Sequence, residues 1–340
     1  MELTDFDYDL PKELIAQTPI EPRDASRMLY LPKKRGESEH SAFRRLPDYL
    51  VPGDLLVFNK TRVIPARLLG EKEGTGGQVE VFLLRQEGPE LWNCLVRPGR
   101  RLRPGARLSF GGGVLKAEIA ERGPEGTRLV RFSGEGVFQE TLAKIGQVPL
   151  PPYIHEKLKD PERYQTVYGN QPGSVAAPTA GLHFTPEILS ELAAKGIESA
   201  EVILHVGMGT FKPVETERIE DHPMHSEYYE VSRETKEKIN RAKAEGRRVI
   251  AVGTTSLRTL EAVGQNGQMR EGSGWTDIFI YPGYTFQIID GLLTNFHLPK
   301  STLLMLVSAL AGLERVLKAY EEAVRERYRF FSFGDCMLIL

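Results

Sequence analysis

From about Ala66 to Ser133 the chain holds four short runs, QVEVFLLR, LWNCLVR, GVLKAEIAE and TRLVRF, separated by turns that contain glycine or proline. No helical repeat lies among them. Short strands at this spacing predict a small β-barrel. The sequence on either side has another texture. In VPGDLLVFNKTRVIPARL, Pro52 to Asp54 form a turn and Leu55 to Phe58 a short buried strand. Beyond Gly146, ESAEVILHVGMGT is a strand running into a glycine turn, and SRETKEKINRAKAEG is an exposed amphipathic helix closed by Gly246. RRVIAVGTTSLRTLEAV gives strand, turn and helix, TDIFIYPGY another strand, and Lys300 to Glu326 a long helical region. Alternating strands and helices predict an α/β domain with a mostly parallel sheet. The simplest topology is a larger α/β domain, residues 1–64 and 148–340, interrupted by an inserted small β-barrel at residues 65–147. A chain of 340 residues has room for both.

Bulk properties exclude little but narrow the setting. The net charge of -2 argues neither for nor against nucleic acid, because a local basic patch can sit on a neutral protein. Two distant cysteines, Cys94 and Cys336, match no metal spacing and are expected to be reduced thiols of a cytosolic protein. MELTDFDYDLPKEL is acidic and lacks the apolar centre of a signal peptide. The longest apolar stretch, Leu303 to Leu313, is too short to span a bilayer and predicts a buried helix. A cytoplasmic protein without membrane contact is expected.

Ligands of open α/β sheets bind beyond the carboxyl ends of the strands. Several segments fall there. In VGTTSLRT, Gly253 permits a tight turn, and Thr254, Thr255 and Ser256 bring hydroxyls and N–H groups to a helix start, where Arg258 adds a forked cation. The same residues would serve as a plain helix cap. HVGMGTFKP offers His205 between a strand end and two glycines, Gly207 and Gly209; TNFHLPKST offers Asn295, His297 and Lys300 before a helix capped by Ser301. SVAAPTAGLHFT is almost free of bulk until Leu182, then delivers His183 and Phe184 just before a Thr185-Pro186 helix start. Such a run suits close approach of two backbones, or of a backbone and a ligand. DHPMHSEYY carries His222, His225 and Glu227, a possible metal set, although Pro223 disfavours a regular helix. There is no zinc-protease, P-loop or nucleophile-elbow motif. Finally, RPGRRLRPGARL places Arg97, Arg100, Arg101, Arg103 and Arg107 within eleven residues of the barrel. They form either a phosphate-contact patch or a solvated hairpin. Lys60 and Arg62 could extend that surface.

The ordered set FNKTRVIPARL, RYQTVYG, VAAPTAGLHFT, HVGMGTFKPV, GTTSLRTLE and YPGYTFQIIDGLLTNFHLPKSTLLMLVSAL closely resembles the S-adenosylmethionine:tRNA ribosyltransferase-isomerase family of queuosine synthesis. The two termini fit as well, and the resemblance is weakest from about Glu71 to Arg131. It implies a larger α/β domain with an inserted barrel. It implies transfer of the ribosyl part of S-adenosylmethionine to 7-aminomethyl-7-deazaguanine at the tRNA wobble position, with adenine and methionine leaving. No metal or other cofactor is implied, since S-adenosylmethionine is consumed as co-substrate. On this reading His183 and His297 exchange protons. Arg258 and the Gly253, Thr254, Thr255, Ser256 turn bind the methionine carboxylate. Phe184, Phe211 and Tyr284 are candidates to face the sulfonium. Lys60, Arg62 and the five barrel arginines hold the tRNA, and the protein is expected to be a monomer. Two other classes remain: a non-catalytic RNA-binding module, and a metal-dependent hydrolase built on His222, His225 and Glu227.

Overall fold

A computed structural model describes residues 1–34, 36–207 and 213–340, so Gly209 and Phe211 lie outside the described residues. The chain divides into two units. One comprises Met1–Arg62, Pro152–Gln171 and Ala177–Leu340; the other comprises Val63–Pro151 with Pro172–Ala176.

The first unit opens with β1 (Arg27–Leu31), β2 (Glu39–Ala42), the one-turn helix α1 (Leu46–Tyr49) and β3 (Leu55–Asn59). A short strand, β4 (Thr61–Val63), follows at the join. The second unit contains β5 (Arg67–Lys72), β6 (Gly77–Gly88), β7 (Leu91–Arg97), β8 (Arg107–Phe110), β9 (Leu115–Arg122), β10 (Arg128–Gly134) and α2 (Phe138–Ile145). These six strands close into a barrel in the order β10-β7-β6-β5-β8-β9, antiparallel throughout. Their inward positions, among them Leu68, Val81, Cys94, Leu108, Ile119 and Phe132, are fully buried. Alternation of apolar and polar residues is what a small closed sheet with a filled interior needs.

At the second join lies β11 (Gln171–Ser174). The first unit then resumes with α3 (Pro186–Ala194), β12 (Glu198–Leu204), β13 (Glu227–Val231), α4 (Arg233–Ala244), β14 (Val249–Val252), α5 (Gly253–Val263), β15 (Gly272–Thr276), β16 (Gly291–Asn295), α6 (Thr302–Ala311), α7 (Leu313–Arg325) and β17 (Cys336–Ile339). Nine strands form one mixed sheet, β15-β13-β12-β3-β14-β16-β17-β1-β2. Its centre, β12-β3-β14-β16, is parallel, as the strand-helix alternation predicts. Beyond β12 the pairing turns antiparallel, and β17 runs against β16 but parallel to β1. The central strands are buried on both faces. Val57, Val249, Ala251 and Leu292 face a core built with α4 to α7, whereas Leu56, Phe58, Ile250, Val252 and Leu293 face a core built with α1 and α3.

Two local expectations change. TDIFIYPGY is not a strand; the edge strand is Gly272–Thr276, just before it. All five residues of β13 find partners in that segment, so the following residues meet no free strand. Ile280 is buried instead, and Ile278, Phe279 and Tyr281 pack against the core. The long helical region breaks at Gly312 (φ 89°), which ends α6 and begins α7. Apolar residues of α6 are buried nearly all round, while α7 turns Val316, Ala319, Tyr320 and Ala323 inward, the spacing of one helix face. Among the described residues no helix is long and apolar enough to cross a membrane. Replacing Gly312 by alanine forces a side chain into a backbone region that only glycine visits freely. It should cost about 1–3 kcal/mol, readable as a lower thermal midpoint without loss of barrel or sheet signals.

Candidate active site

The small-residue run folds into a single turn, Thr179–His183, packed at the carboxyl ends of β14 and β16. Its lack of bulk is a packing requirement. A Cβ on Gly181 would overlap the Tyr168 hydroxyl and lie 2.8 Å from the Thr166 methyl. A Cβ on Gly253, the first residue after β14, would lie 3.6 Å from that of Ala180. Gly253 has φ 87°, so the turn into α5 also needs glycine for its backbone. Phe184 anchors the run from below. It is fully buried, edge-on to Phe43 and Phe58 at 4.9 and 5.1 Å, and so belongs to the core rather than to a ligand surface.

His183 is brought to the sheet edge by this turn and is 4% exposed. Ser26, just before β1, bonds its Nδ1 at 2.8 Å, and Phe43 lies 5.3 Å away ring to ring. Its Nε2 is buried with no hydrogen-bond partner. Arg23, Arg163, Leu182, Ser332 and Phe333 line the small pocket beside it. Burial pulls the imidazole down to about 4; the side chain of Asn295 opposes this, and the guanidinium charges of Arg329, Arg23 and Arg163 reinforce it. The ring is therefore neutral near pH 7, with one nitrogen tied and one untied. Backbone carbonyls hold the arginines: Arg23 donates to Leu182 and Glu162 at 3.2 and 2.9 Å, and Arg163 to Ile20 at 2.6 Å.

His297 lies elsewhere. Its Nε2 meets the Thr294 hydroxyl at 2.9 Å, its N–H donates to the Tyr320 hydroxyl at 3.0 Å, and its carbonyl accepts from Tyr8. Burial pulls this ring down to about 3. Thr294 and Asn295 are successive residues of β16 and point to opposite faces of the sheet. The two histidines accordingly sit on opposite faces: His183 beside Asn295, His297 beside Thr294. Nearby, Lys300 is paired with Asp7 at 2.8 Å.

Helix α5 follows β14 with no side-chain cap. Ser256 Oγ donates back to the Val252 carbonyl at 2.8 Å, so this hydroxyl is used inside the helix, while Thr255 Oγ1 is buried without a partner. Arg258, one turn further, is 5% exposed and ion-paired through Nη1 with Glu227, the first residue of β13. Its Nε and Nη2 are buried and have no hydrogen-bond partner. Arg258 and Glu227 line a pocket with His222, Met224, His225, Phe279 and Leu306. The carboxylate that a metal set on His222 and His225 would need is thus taken by an arginine. Among the described residues no group of three or more His, Cys, Asp or Glu is placed to hold a metal ion. Tyr284 stands apart, its hydroxyl donating to Glu261 at 3.2 Å. His205 stacks on Tyr228 at 5.8 Å.

In the barrel unit Arg97, Arg100, Arg101, Arg103 and Arg107 are all exposed, and none forms an ion pair among the described residues. Arg101, Arg103 and Arg107 surround one open concavity with Lys72. Lys60 and Arg62, in the other unit, are paired with Glu201 and Glu162. Sequence reasoning did not find Ser26, Arg23, Arg163 or Arg329, which reach His183 from segments about 20 to 160 residues away and leave no local pattern.

Both buried histidines bind fewer protons folded than unfolded. Their contribution is complete above the ordinary value of 6.5 and is lost as pH falls toward about 4 for His183 and about 3 for His297. Each ring should cost the fold about 3 kcal/mol or more over that range. Urea midpoints should therefore fall steeply below pH 6.5, and His297→Gln should flatten the acid limb.

The geometry can be set beside known proteins. The model of a family described as queuosine biosynthesis protein matches residues 3–339. The chain is 64% identical over 340 residues to the S-adenosylmethionine:tRNA ribosyltransferase-isomerase of Carboxydothermus hydrogenoformans, covering 100% of both. It is 59% identical over 341 residues to the protein of that name in Desulfitobacterium hafniense, again covering 100% of both. The crystal structure of S-adenosylmethionine tRNA ribosyltransferase from Thermotoga maritima is similar at 43% identity and a TM-score of 0.58, over 99% of this chain and 100% of that one. Likeness extends through both units and through every segment that builds the sheet-edge site, and the chain belongs to the queuosine biosynthesis protein family of S-adenosylmethionine:tRNA ribosyltransferase-isomerases.

Proposed function

We propose that this chain transfers the ribosyl part of S-adenosylmethionine to 7-aminomethyl-7-deazaguanine at the wobble position of tRNA and isomerises it. Epoxyqueuosine is formed, and adenine and methionine are released. The observation that carries this reading is the match to relatives of that name over their full length, 64% identical in one case. The site geometry supports it independently. The reaction needs a proton taken from the ribose carbon next to the sulfonium. The resulting carbanion helps expel adenine. The neutral substrate amine then attacks the anomeric carbon, and an alkoxide closes the epoxide and displaces methionine.

His183 suits the proton-transfer role. It is neutral near pH 7, oriented by Ser26, and has a buried Nε2 without a hydrogen-bond partner beside a small pocket. His297, bonded through Nε2 to Thr294 and through its backbone to Tyr320 and Tyr8, is proposed to hold the Phe296–Lys300 loop in place while His183 meets substrate. The Gly253, Thr254, Thr255, Ser256 turn supports the co-substrate with backbone groups, and Arg258 takes its carboxylate. The sulfonium itself activates the ribose, so the proposed chemistry calls for no metal or organic cofactor. Arg97, Arg100, Arg101, Arg103 and Arg107 bind tRNA phosphates, joined by Lys60 and Arg62 once their carboxylate partners let go. The target base lies in a single-stranded loop and can be splayed out at low cost. The protein acts as a cytoplasmic monomer.

Incubation with S-adenosylmethionine and tRNA bearing the aminomethyl-deazaguanine should release adenine only when that tRNA is present. Retention of tRNA without adenine would instead favour an RNA-binding module. His183→Ala should lower kcat roughly 100- to 10,000-fold with tRNA affinity unchanged; near-normal turnover of a folded variant removes His183 from the mechanism. Arg100→Glu with Arg101→Glu should flatten the salt dependence of tRNA binding by about 1.5 in logarithmic slope. An unchanged slope removes the patch.

A further inference from the structure

We propose that three aromatic side chains on the outer strands of the nine-stranded sheet, His205, Tyr228 and Trp275, form a stacking platform for the unpaired anticodon-loop bases that flank the wobble nucleotide. The inference rests on the proposed reaction for tRNA as the partner, and on the following geometry for the place where the loop lies.

Strand register builds the row. Tyr228 of β13 lies directly across from Trp275 of β15, and His205, just past the end of β12, donates its N–H to the Tyr228 carbonyl at 2.9 Å. Side chains alternate along a strand. Tyr229 and Val231 pack into the core with α4 to α7, so Tyr228 points to the other face. The rings follow one another at 5.8 and 5.7 Å, the first pair nearly parallel at 17° and the second edge-on at 69°. Cross-strand pairing accounts for these contacts. It does not account for the exposure. Among the described residues Trp275 is the only exposed aromatic, at 51%, and His205 and Tyr228 are half-buried. The core under α1 and α3 takes residues of β3, β14 and β16, and among the described residues none of β12, β13 or β15 joins it.

Position ties the row to the proposed chemistry. His205 follows the last residue of β12, and Trp275 is next to last in β15. Asn295, beside His183, ends β16 and shares a face with Leu293, which belongs to the core under α1 and α3. In the sheet order three steps separate β16 from β12 and five separate it from β15. At roughly 4.8 Å a step the row begins about 14 Å and ends about 24 Å from Asn295. A loop with its wobble base at His183 covers that distance with a few nucleotides.

The chemistry favours bases over phosphates. Every base has a π-face, and stacking on aromatic rings tolerates any sequence. Burial holds the His205 imidazole below its ordinary value, so the three rings carry no charge near pH 7. Glu230, exposed two residues from Tyr228 on the same face, repels phosphate and accepts from base amino groups. Lys60, just past β3 and paired with Glu201 at 3.1 Å, is the cation beside the row for the backbone. A second copy of the chain is the rival occupant, because β15 is an edge strand. A five-residue edge with two glycines is a poor template for such pairing.

The test uses the intact protein and the modified tRNA, with binding measured apart from adenine release. Folded Trp275→Ala protein should bind tRNA with a Kd about 5- to 150-fold higher, the span of one lost stack, and with an unchanged salt slope. Trp275→Phe should recover most of the affinity. Abasic nucleotides beside the wobble position should weaken binding to the wild-type protein as much, and to Trp275→Ala no further. Equal Kd for wild type and Trp275→Ala, or equal losses from the abasic loop in both proteins, overturns the inference. A wild-type dimer that Trp275→Ala dissociates also overturns it and gives the row to a second copy. If the wild-type protein releases no adenine but binds tRNA through Trp275, the reaction reading falls and the platform stands.

Discussion

Everything at the sheet edge depends on how closely the Thr179–His183 turn approaches the strand ends. Four consecutive small or compact positions, ending at Gly181, let this backbone lie against Tyr168, the start of α5 and the end of β16. No bulkier sequence could occupy the space, because the half-buried Tyr168 is itself packed edge-on against Phe58 and its hydroxyl already lies where a Gly181 Cβ would stand. The approach sets the position of His183 to within the tolerance of a packed core. Phe184, one residue later, is locked between Phe43 and Phe58. His183 is thus placed by its neighbours' bulk rather than by a flexible loop, the kind of placement that the proposed proton transfer calls for.

Alternation along β16 then separates two roles that the residue type alone could not. Thr294 and Asn295 point to opposite faces, and each is matched with a different histidine. Burial silences the charge of both rings, and the Nε2 of His183 is buried without a hydrogen-bond partner. His297 spends its ring nitrogen, its amide and its carbonyl on Thr294, Tyr320 and Tyr8. Those bonds join the end of β16 to the first segment of the chain and to α7. A histidine so engaged ties down the end of β16, the strand whose other face meets His183.

Barrel strands and the strand-helix alternation were readable in the sequence because each rests on a local period. The insertion of β17 between β16 and β1 was not, since its pairing partners lie about 40 and 310 residues away. The TDIFIYPGY segment misleads for a related reason: its apolar alternation suits a strand, but strand formation needs a free neighbour, and β13 is already filled by Gly272–Thr276. At the site, histidine, glycine and arginine positions stood out by residue type, whereas their partners did not. Glu227 resembled a metal ligand beside His222 and His225 until Arg258, 31 residues on, was seen to hold it. Ser26 meets His183 across 157 residues. Such contacts are products of the sheet topology and have no spacing of their own.

The electrostatics of the two pockets bear on the proposed reaction as a whole. Around His183 three guanidiniums and a low-dielectric wall favour neutral over protonated nitrogen. The substrate amine must also be neutral to attack the anomeric carbon, and the same surroundings would lower its basicity as they lower that of the imidazole. At Arg258 the balance is reversed: Glu227 pairs with the guanidinium, so the two buried groups are neutral together. The fold thereby keeps a neutral imidazole with an untied nitrogen in one pocket and a charge-balanced guanidinium with two unpaired N–H donors in the other.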